Sequence, residues 1–445
     1  RPVTSRSSET AQAGKEPPTN KLATDAPPLG INTWSSYLFN IDEATLMAEL
    51  DVFIQRLKPA GYSYFVLDAG WTINHYGWET TPPDPRLPGW PATLDDHGLP
   101  VPSARKFPNG LAPLVERCHA HDIKIGVHYM RGVPRAAVAR DLTVKGTSHR
   151  MRDFAEWEND CNWGPGNVGV DMSKPGAQAF LDSQMANFAA MGLDFVKMDD
   201  LAEHPKEIEG YGRAIAHCGR PMLLSISPGN APSKGQLDVY RRWGDMLRIT
   251  PDIWDVPADL NVAFERWELW EECGSPACWL DLDMIPFGRL KIGDAGEHVC
   301  QLTRVQKETF MAQRALAASP LFFGGALQFT PDEDFALVTD PDMLACNRNG
   351  VTARRIFGDR RIDIRRAPHR NDPAKGWIGV FNRKESASFR FALTPENLGF
   401  PAGTSAASLR VFDIWRKRYR VPDGDVFRFE MPFWGCSFLR IDPGV

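Results

Sequence analysis

The strongest constraint on this chain is a repeat of texture, not of letters. Short apolar runs stop on polar or charged residues, and each is joined to a segment with apolar residues at helical spacing. The clearest case is residues 192–200, Gly-Leu-Asp-Phe-Val-Lys-Met-Asp-Asp, where Phe195, Val196 and Met198 suit a buried strand that ends on Asp199 and Asp200. A strand that follows a helical stretch and ends on acids is the βα unit that presents chemistry at its loop face.

Comparable runs recur along the chain. The first enters at 27–34 and ends at Trp34; others lie at 64–67, 124–129, 195–198, 222–227, 246–249, 279–284 and 319–324. Helical spacing is expected over 42–57, 111–121, 207–218, 236–243 and 302–317, and over a helix from 175 to 191 that Ser173 caps with Pro175 in its first turn. Eight such units between residues 29 and 348 predict a (β/α)8 TIM barrel with long inserted loops. From 351 to 445 the texture becomes β-rich, as in 362–364, 377–381, 388–391, 409–415 and 437–441, without a long helix signal. A C-terminal all-β sandwich is expected there. Residues 1–28 are mostly small, polar or charged and predict a flexible N-terminal arm.

Composition removes several function classes. A net charge of −5 and the lack of a basic run exclude nucleic acid as an expected partner. Apolar runs fall short of a membrane span. The numbering opens on Arg1 without Met, which fits a leader already removed and a secreted or periplasmic protein. The eight cysteines form no CxxC cluster, so neither a metal nor a cofactor is expected. Cys273 and Cys278 are near enough for a short bridge, and reduced core cysteines fit as well. The 14 Trp and 25 Phe suit a sugar cleft, because flat apolar rings match the C–H face of a pyranose; a large core would also use them.

Asp199 closes one strand, and Arg248-Ile-Thr-Pro-Asp252 follows another. Two carboxylates on separate strand ends are the minimum equipment of a glycoside hydrolase. A binding-only barrel would lack one of them. A metal-dependent enzyme would need several His and carboxylate ligands at strand ends, where only His128 stands, with His204 a little beyond.

An ordered series of motifs then resembles glycoside hydrolase family 27, the α-galactosidase and α-N-acetylgalactosaminidase family, which also includes isomaltodextranases and β-L-arabinopyranosidases. Leu29-Gly30-x-x-x-Trp34 is similar to its opening strand and Leu67-Asp68-x-x-Trp71 to its second. Val196-Lys197-Met198-Asp199 resembles the nucleophile strand, and Arg248-x-x-x-Asp252 followed by Asp255 the acid/base segment. Trp279-x-Asp281-x-Asp283-Met284, Ser319-Pro320-Leu321 and a closing β domain complete the order.

The resemblance implies net retention, with Asp199 as nucleophile and Asp252 as general acid/base. It further implies Lys197, Arg248 and Asp68 as sugar ligands and Trp34 as an apolar wall. Lys197 and Arg248 would keep Asp199 ionised by opposite charge. The departures bear on the sugar. Ala69 stands where galactosidases usually carry a second Asp, His128 where the third strand usually ends in Tyr, and Ser227-Pro228-Gly229 where Cys-Glu-Trp or Cys-Ser-Trp is usual. Asp200 and His204 also depart from the pattern. His128 fits a sugar contact or a satisfied loop histidine, and Ser227 would make room beside C2 of the sugar. Trp71, Trp163, Asp281 and Asp283 read as structural, and Asp255 as either. The expected substrate is an oligosaccharide or polysaccharide ending in an α-linked galactose-type residue. The alternatives are an α-glucan of the isomaltodextranase kind, an N-acetylgalactosaminide or a β-L-arabinopyranoside.

Overall fold

A computed structural model describes residues 22, 24–77, 92–164, 166–359, 361–383 and 387–442. The arm expected over 1–28 lies outside the described residues up to 21. Its last part does not hang free. Leu22 N donates to Asp245 (3.2 Å), Trp279 Nε1 donates to Thr24 Oγ1 (2.9 Å), and Leu22 packs on the rings inside the barrel.

The barrel strands are β1 (Leu29–Asn32), β2 (Tyr64–Leu67), β3 (Lys124–Met130), β4 (Phe195–Asp199), β5 (Leu223–Ile226), β6 (Met246–Arg248), β7 (Trp279–Asp281) and β8 (Leu321–Phe323). They run parallel in the order β7-β6-β5-β4-β3-β2-β1-β8. The ring closes beyond β7, where Ile285 N donates to Phe322 O and Gly324 N to Ile285 O, both 2.8 Å. This is the (β/α)8 barrel that the repeat of texture predicts. β7 stops earlier than expected, because after Asp281 the chain turns through Asp283 at φ 73° before regaining its neighbour.

The helices follow the strands: α1 (Glu43–Val52), α2 (Ala112–Ala120), α3 (Ala177–Ala190), α4 (Pro205–His217), α5 (Leu237–Trp243), α6 (Pro257–Trp270), α7 (Arg304–Leu316) and α8 (Pro341–Arg348). Local chemistry sets their starts. Asp42 accepts from Thr45 N ahead of α1 (2.8 Å), and Thr303 with Gln306 forms a reciprocal capping box on α7. For α3 the expectation fails. Ser173 donates to Asp171 in a tight turn (2.6 Å), and the helix begins only after Gly176 at φ 89°. The Asp171 carboxylate captures both polar groups of Ser173, so that residue caps nothing. Within the long loop after β3, strands at 133–134, 155–160 and 167–170 form a small antiparallel sheet that the sequence did not announce.

Inside the barrel, Tyr64, Val66, Phe195, Leu223, Met246, Trp279 and Phe322 fill the lower layers as a packed core. A Cβ on Gly126 would stand 2.5 Å from that of Phe195, so the inner face of β3 has room for nothing larger there. Cys273 and Cys278 are both buried as thiols.

Beyond the barrel, among the described residues, strands at 354–358, 362–369, 372–382, 436–442, 410–413 and 418–420 form one antiparallel sheet. The antiparallel pair 389–393/427–431 packs on one face through Ile364, Val380, Leu398, Phe429 and Leu439, which gives the expected two-layer β architecture. The other face lies on the barrel: Phe381 meets Phe264 edge-on at 4.9 Å, and Arg365 binds Glu271 (2.6 Å). Among the described residues no helix is long and apolar enough to cross a membrane.

Candidate active site

Strand alternation builds the floor of the site. Side chains two apart share a face, so Phe195, Lys197 and Asp199 climb the inner face of β4, and Tyr64, Val66 and Asp68 that of β2. Met246 and Arg248 do the same on β6, and Gly126 and His128 on β3. Apolar residues therefore occupy the bottom of the barrel, and charged ones the C-terminal mouth.

At that mouth the charges interlock. Lys197 Nζ lies 2.9 Å from Asp68 Oδ2 and 3.6 Å from Asp199 Oδ1. His128 Nε2 is 3.0 Å from Asp199 Oδ2, and Trp163 Nε1 donates to the same oxygen at 3.1 Å. Asn32 donates to Asp68 (2.7 Å), and Ala69 N to its other oxygen (2.8 Å). Burial opposes ionisation of Asp199, yet the Lys197 ammonium, His128 and the Arg248 guanidinium outweigh it and hold the carboxyl below the ordinary carboxylate range. Asp68 is lowered likewise, Lys197 overcoming the burial, and Lys197 is raised by its two carboxylates despite its own burial. The floor is thus a cation between two ionised acids.

The opposite wall is the loop after β6. Arg248 NH1 lies 2.5 Å from Asp252 Oδ1 and 3.3 Å from Asp283 Oδ2. Asp283 also accepts from Ile253 N (2.7 Å), which fixes the backbone beside Asp252. Arg314, fully buried, donates to Leu282 O (2.6 Å) and so braces the turn carrying Asp283. Asp255 accepts from Gln301 N (2.7 Å) and lies 3.1 Å from His298, which ties the loop to the hairpin 289–299. The side chains contrast sharply: that of Asp199 is 7% exposed, that of Asp252 60%.

A cavity of about 570 Å³ separates the two walls, lined by Trp34, Asp68, Lys197, Asp199, Arg248 and Asp252 among others. That size is usual for small-molecule sites. Six of the eight sequence-derived site residues thus share one cleft.

The other two do not reach it. Ser227 is 1% exposed, below the cleft; Pro228, Gly229 and Asn230 form the wall instead, because Ser227 N is drawn to Met198 O (3.1 Å) and its own carbonyl accepts from Leu201 N (2.9 Å). His128 stands behind the Asp199 carboxylate as its partner, under the Trp163 ring at 5.5 Å. Trp163, read from sequence as structural, faces the cleft and donates its indole N–H to Asp199 Oδ2. Asp283, read from sequence as a structural acid for loop backbone or the Arg248 region, serves both, whereas Lys291 and Asp294 on the cleft wall were not legible as parts of this neighbourhood. A Trp in a glycine-rich loop carries no periodic signal that would aim it.

Known proteins resemble the chain along nearly its whole length. No family model matches it. A rice α-galactosidase is 21% identical over 426 residues, covering 94% of this chain and 85% of the relative. A rat α-N-acetylgalactosaminidase is 23% identical over 416 residues, covering 87% and 84%. The crystal structure of a family 27 β-L-arabinopyranosidase from Geobacillus stearothermophilus matches with a TM-score of 0.87 at 28% identity, over 95% of this chain and 97% of that one.

Proposed function

We propose that this chain, a divergent member of glycoside hydrolase family 27, is a retaining exo-glycosidase in which Asp199 is the nucleophile and Asp252 the general acid/base. One observation carries the assignment. A buried carboxylate kept ionised by Lys197, His128 and Arg248 faces, across the cleft, a second carboxylate on a solvent-exposed loop. Double displacement demands one ionised carboxylate and, across the cleft, a second carboxyl group that exchanges protons with the leaving group and with water.

In the first step an Asp199 oxygen bonds to the anomeric carbon while the glycosidic C–O bond breaks. The departing oxygen takes the proton of Asp252, whose exposed side chain can turn from Arg248 toward it. In the second step Asp252 removes a proton from water, the water oxygen bonds to the same carbon, and Asp199 leaves. Two inversions give net retention. Asp68, pinned by Asn32, Ala69 N and Lys197, offers a fixed acceptor for ring hydroxyls, Lys197 a donor, and Trp34 an apolar wall.

The galacto configuration fits as the ring type. Ala69 favours a second reading within it. Galactosidases of this family usually carry an Asp there, whereas Ala69 packs with Phe39 and Ile73 behind Trp34 and Trp163. That apolar corner offers nothing to a hydroxymethyl group, and β-L-arabinopyranose is the galacto ring without one. A panel of p-nitrophenyl glycosides decides: α-galactoside, β-L-arabinopyranoside, α-N-acetylgalactosaminide and α-glucoside, each with wild type and Asp199→Asn. Turnover of the first two, at least about a thousandfold slower in the variant, is expected. Full turnover by Asp199→Asn would remove the nucleophile assignment.

A further inference from the structure

Asp200 follows the nucleophile and departs from the family pattern, yet it is among the most constrained residues at the site. It is 2% exposed, and its backbone is left-handed at φ 63°, a conformation a non-glycine residue keeps only when its surroundings enforce it. Its Oδ2 accepts from Asn162 N at 3.1 Å and from Arg131 Nε at 3.4 Å. Arg131, with no exposed surface, spends its other N–H groups on Glu207 (2.7 Å), Asn159 (2.9 Å) and the carbonyl of Asp160 (3.3 Å). Arg131 N also donates to the carbonyl of Asp199 (3.2 Å). The loop around Asn162 is thus gripped from both sides, and the next residue is Trp163, whose indole N–H sits on Asp199.

Gly229 makes room for this clamp. A Cβ there would stand 1.7 Å from Asp200 Oδ1 and 2.7 Å from Asn162 Nδ2. Asp200, the Pro228-Gly229 turn and Trp163, three separate oddities along the sequence, are parts of one device.

We propose that Asp200 is a positioning residue: by tying Asn162 to the end of β4, it holds the Trp163 N–H on the nucleophile oxygen and so sets the rate of glycosyl-enzyme formation. This rests on the assignment of Asp199 made above. A donor on the second carboxylate oxygen orients the first toward the anomeric carbon and stabilises the ionised form. Asp200 touches no substrate and acts only through Trp163.

The test is a double-mutant cycle of Asp200→Ala and Trp163→Phe, read as kcat/KM on an activated aryl glycoside. It is run beside the NMR signal of the Trp163 indole N–H, identified by its loss in Trp163→Phe. Each single variant is expected to fall about tenfold to a hundredfold. The double variant should be no slower than Trp163→Phe alone, and Asp200→Asn, which keeps an acceptor for Asn162 N, should recover most of the rate. The indole N–H should lose its protection from exchange in Asp200→Ala. Asp200→Gly, which suits the left-handed backbone, takes the same place in the cycle if the alanine variant does not fold. Losses that multiply in the double variant, or an indole signal unmoved by removal of the carboxylate, overturn the proposal. A wild type inactive on every glycoside, with the indole still released in Asp200→Ala, overturns the glycosidase reading and leaves the clamp standing.

Discussion

At the scale of single residues, the site depends on unequal treatment of its carboxyl groups. Asp199 and Asp68 are both buried, and a lone buried acid would rather be neutral; Lys197 between them reverses that preference for both. Lys197→Met should therefore raise the Asp199 carboxyl. Asp199, the proposed nucleophile, would then be protonated over a wider acid range, and the acid limb of the kcat/KM profile should move to higher pH. An unmoved limb would show that His128 and Arg248 suffice. Asp281 is the counterexample in the same barrel. Burial, with Asp283 adding to it, pushes its carboxyl up to about 7. In the unfolded chain this acid ionises near 3.9. The folded state therefore binds the extra proton, and stability declines as pH rises from about 4 to about 7. Asp281→Asn keeps the acceptor that Asp283 N uses (2.8 Å) and removes that decline. Its melting temperature relative to wild type should be higher at pH 8 than at pH 4.5.

At the scale of elements, the loop after β6 that carries Asp252 has little regular structure and is shaped by its neighbours. Asp283 holds the backbone beside Asp252, and Asp255 anchors the loop to the hairpin 289–299 through His298. His298 is raised above its ordinary value: burial opposes protonation, but the carbonyl of Gly296 and the Asp255 carboxylate favour it more. A raised histidine contributes stability below its unfolded value, near 6.5, and loses it as pH climbs through the folded value. His298→Gln should accordingly lower the melting temperature more at pH 5.5 than at pH 8.5. Equal losses at the two values would mean that the ion pair adds nothing. The hairpin also carries Lys291 at φ 54°, with its ammonium 4.3 Å from the centre of the Trp254 ring, so one element shapes both the loop and the rim of the cleft.

At the scale of the whole molecule, barrel and C-terminal sheet share one interior. Helix α7 is buried at every position from Gln306 to Leu316, polar ones included, because the barrel covers one side and the β sheet the other. Thr309 donates to Trp434 O across that boundary (2.6 Å), and Arg416 binds Glu308 (3.0 Å). A helix wrapped on all sides cannot tolerate loss of either neighbour. Phe381→Ala, which empties a fully buried site against Phe264 and Trp267, should cost about 3–5 kcal/mol. The loss should register in barrel and sheet as a single shifted thermal transition; two separate transitions would show that the units unfold independently.

What the sequence determined by itself is what depends on neighbours within a few residues. Period-two alternation placed Lys197 and Asp199 on one face of β4. The repeated passage from apolar strand to polar end specified a barrel with its chemistry at one mouth, and Asp42 and Thr303 marked where helices begin. What the tertiary structure alone decided involves groups brought together from far along the chain. Trp163 reaches Asp199 across 36 residues, Leu22 reaches Asp245 across 223, and Ser227 is held beneath the cleft, its N–H on Met198 O and its carbonyl on Leu201 N. Loops pay for their shape with contacts that no local pattern encodes. For that reason the two carboxylates that line the cleft, Asp199 and Asp252, were legible in the letters, while the contact of Trp163 with Asp199 was not.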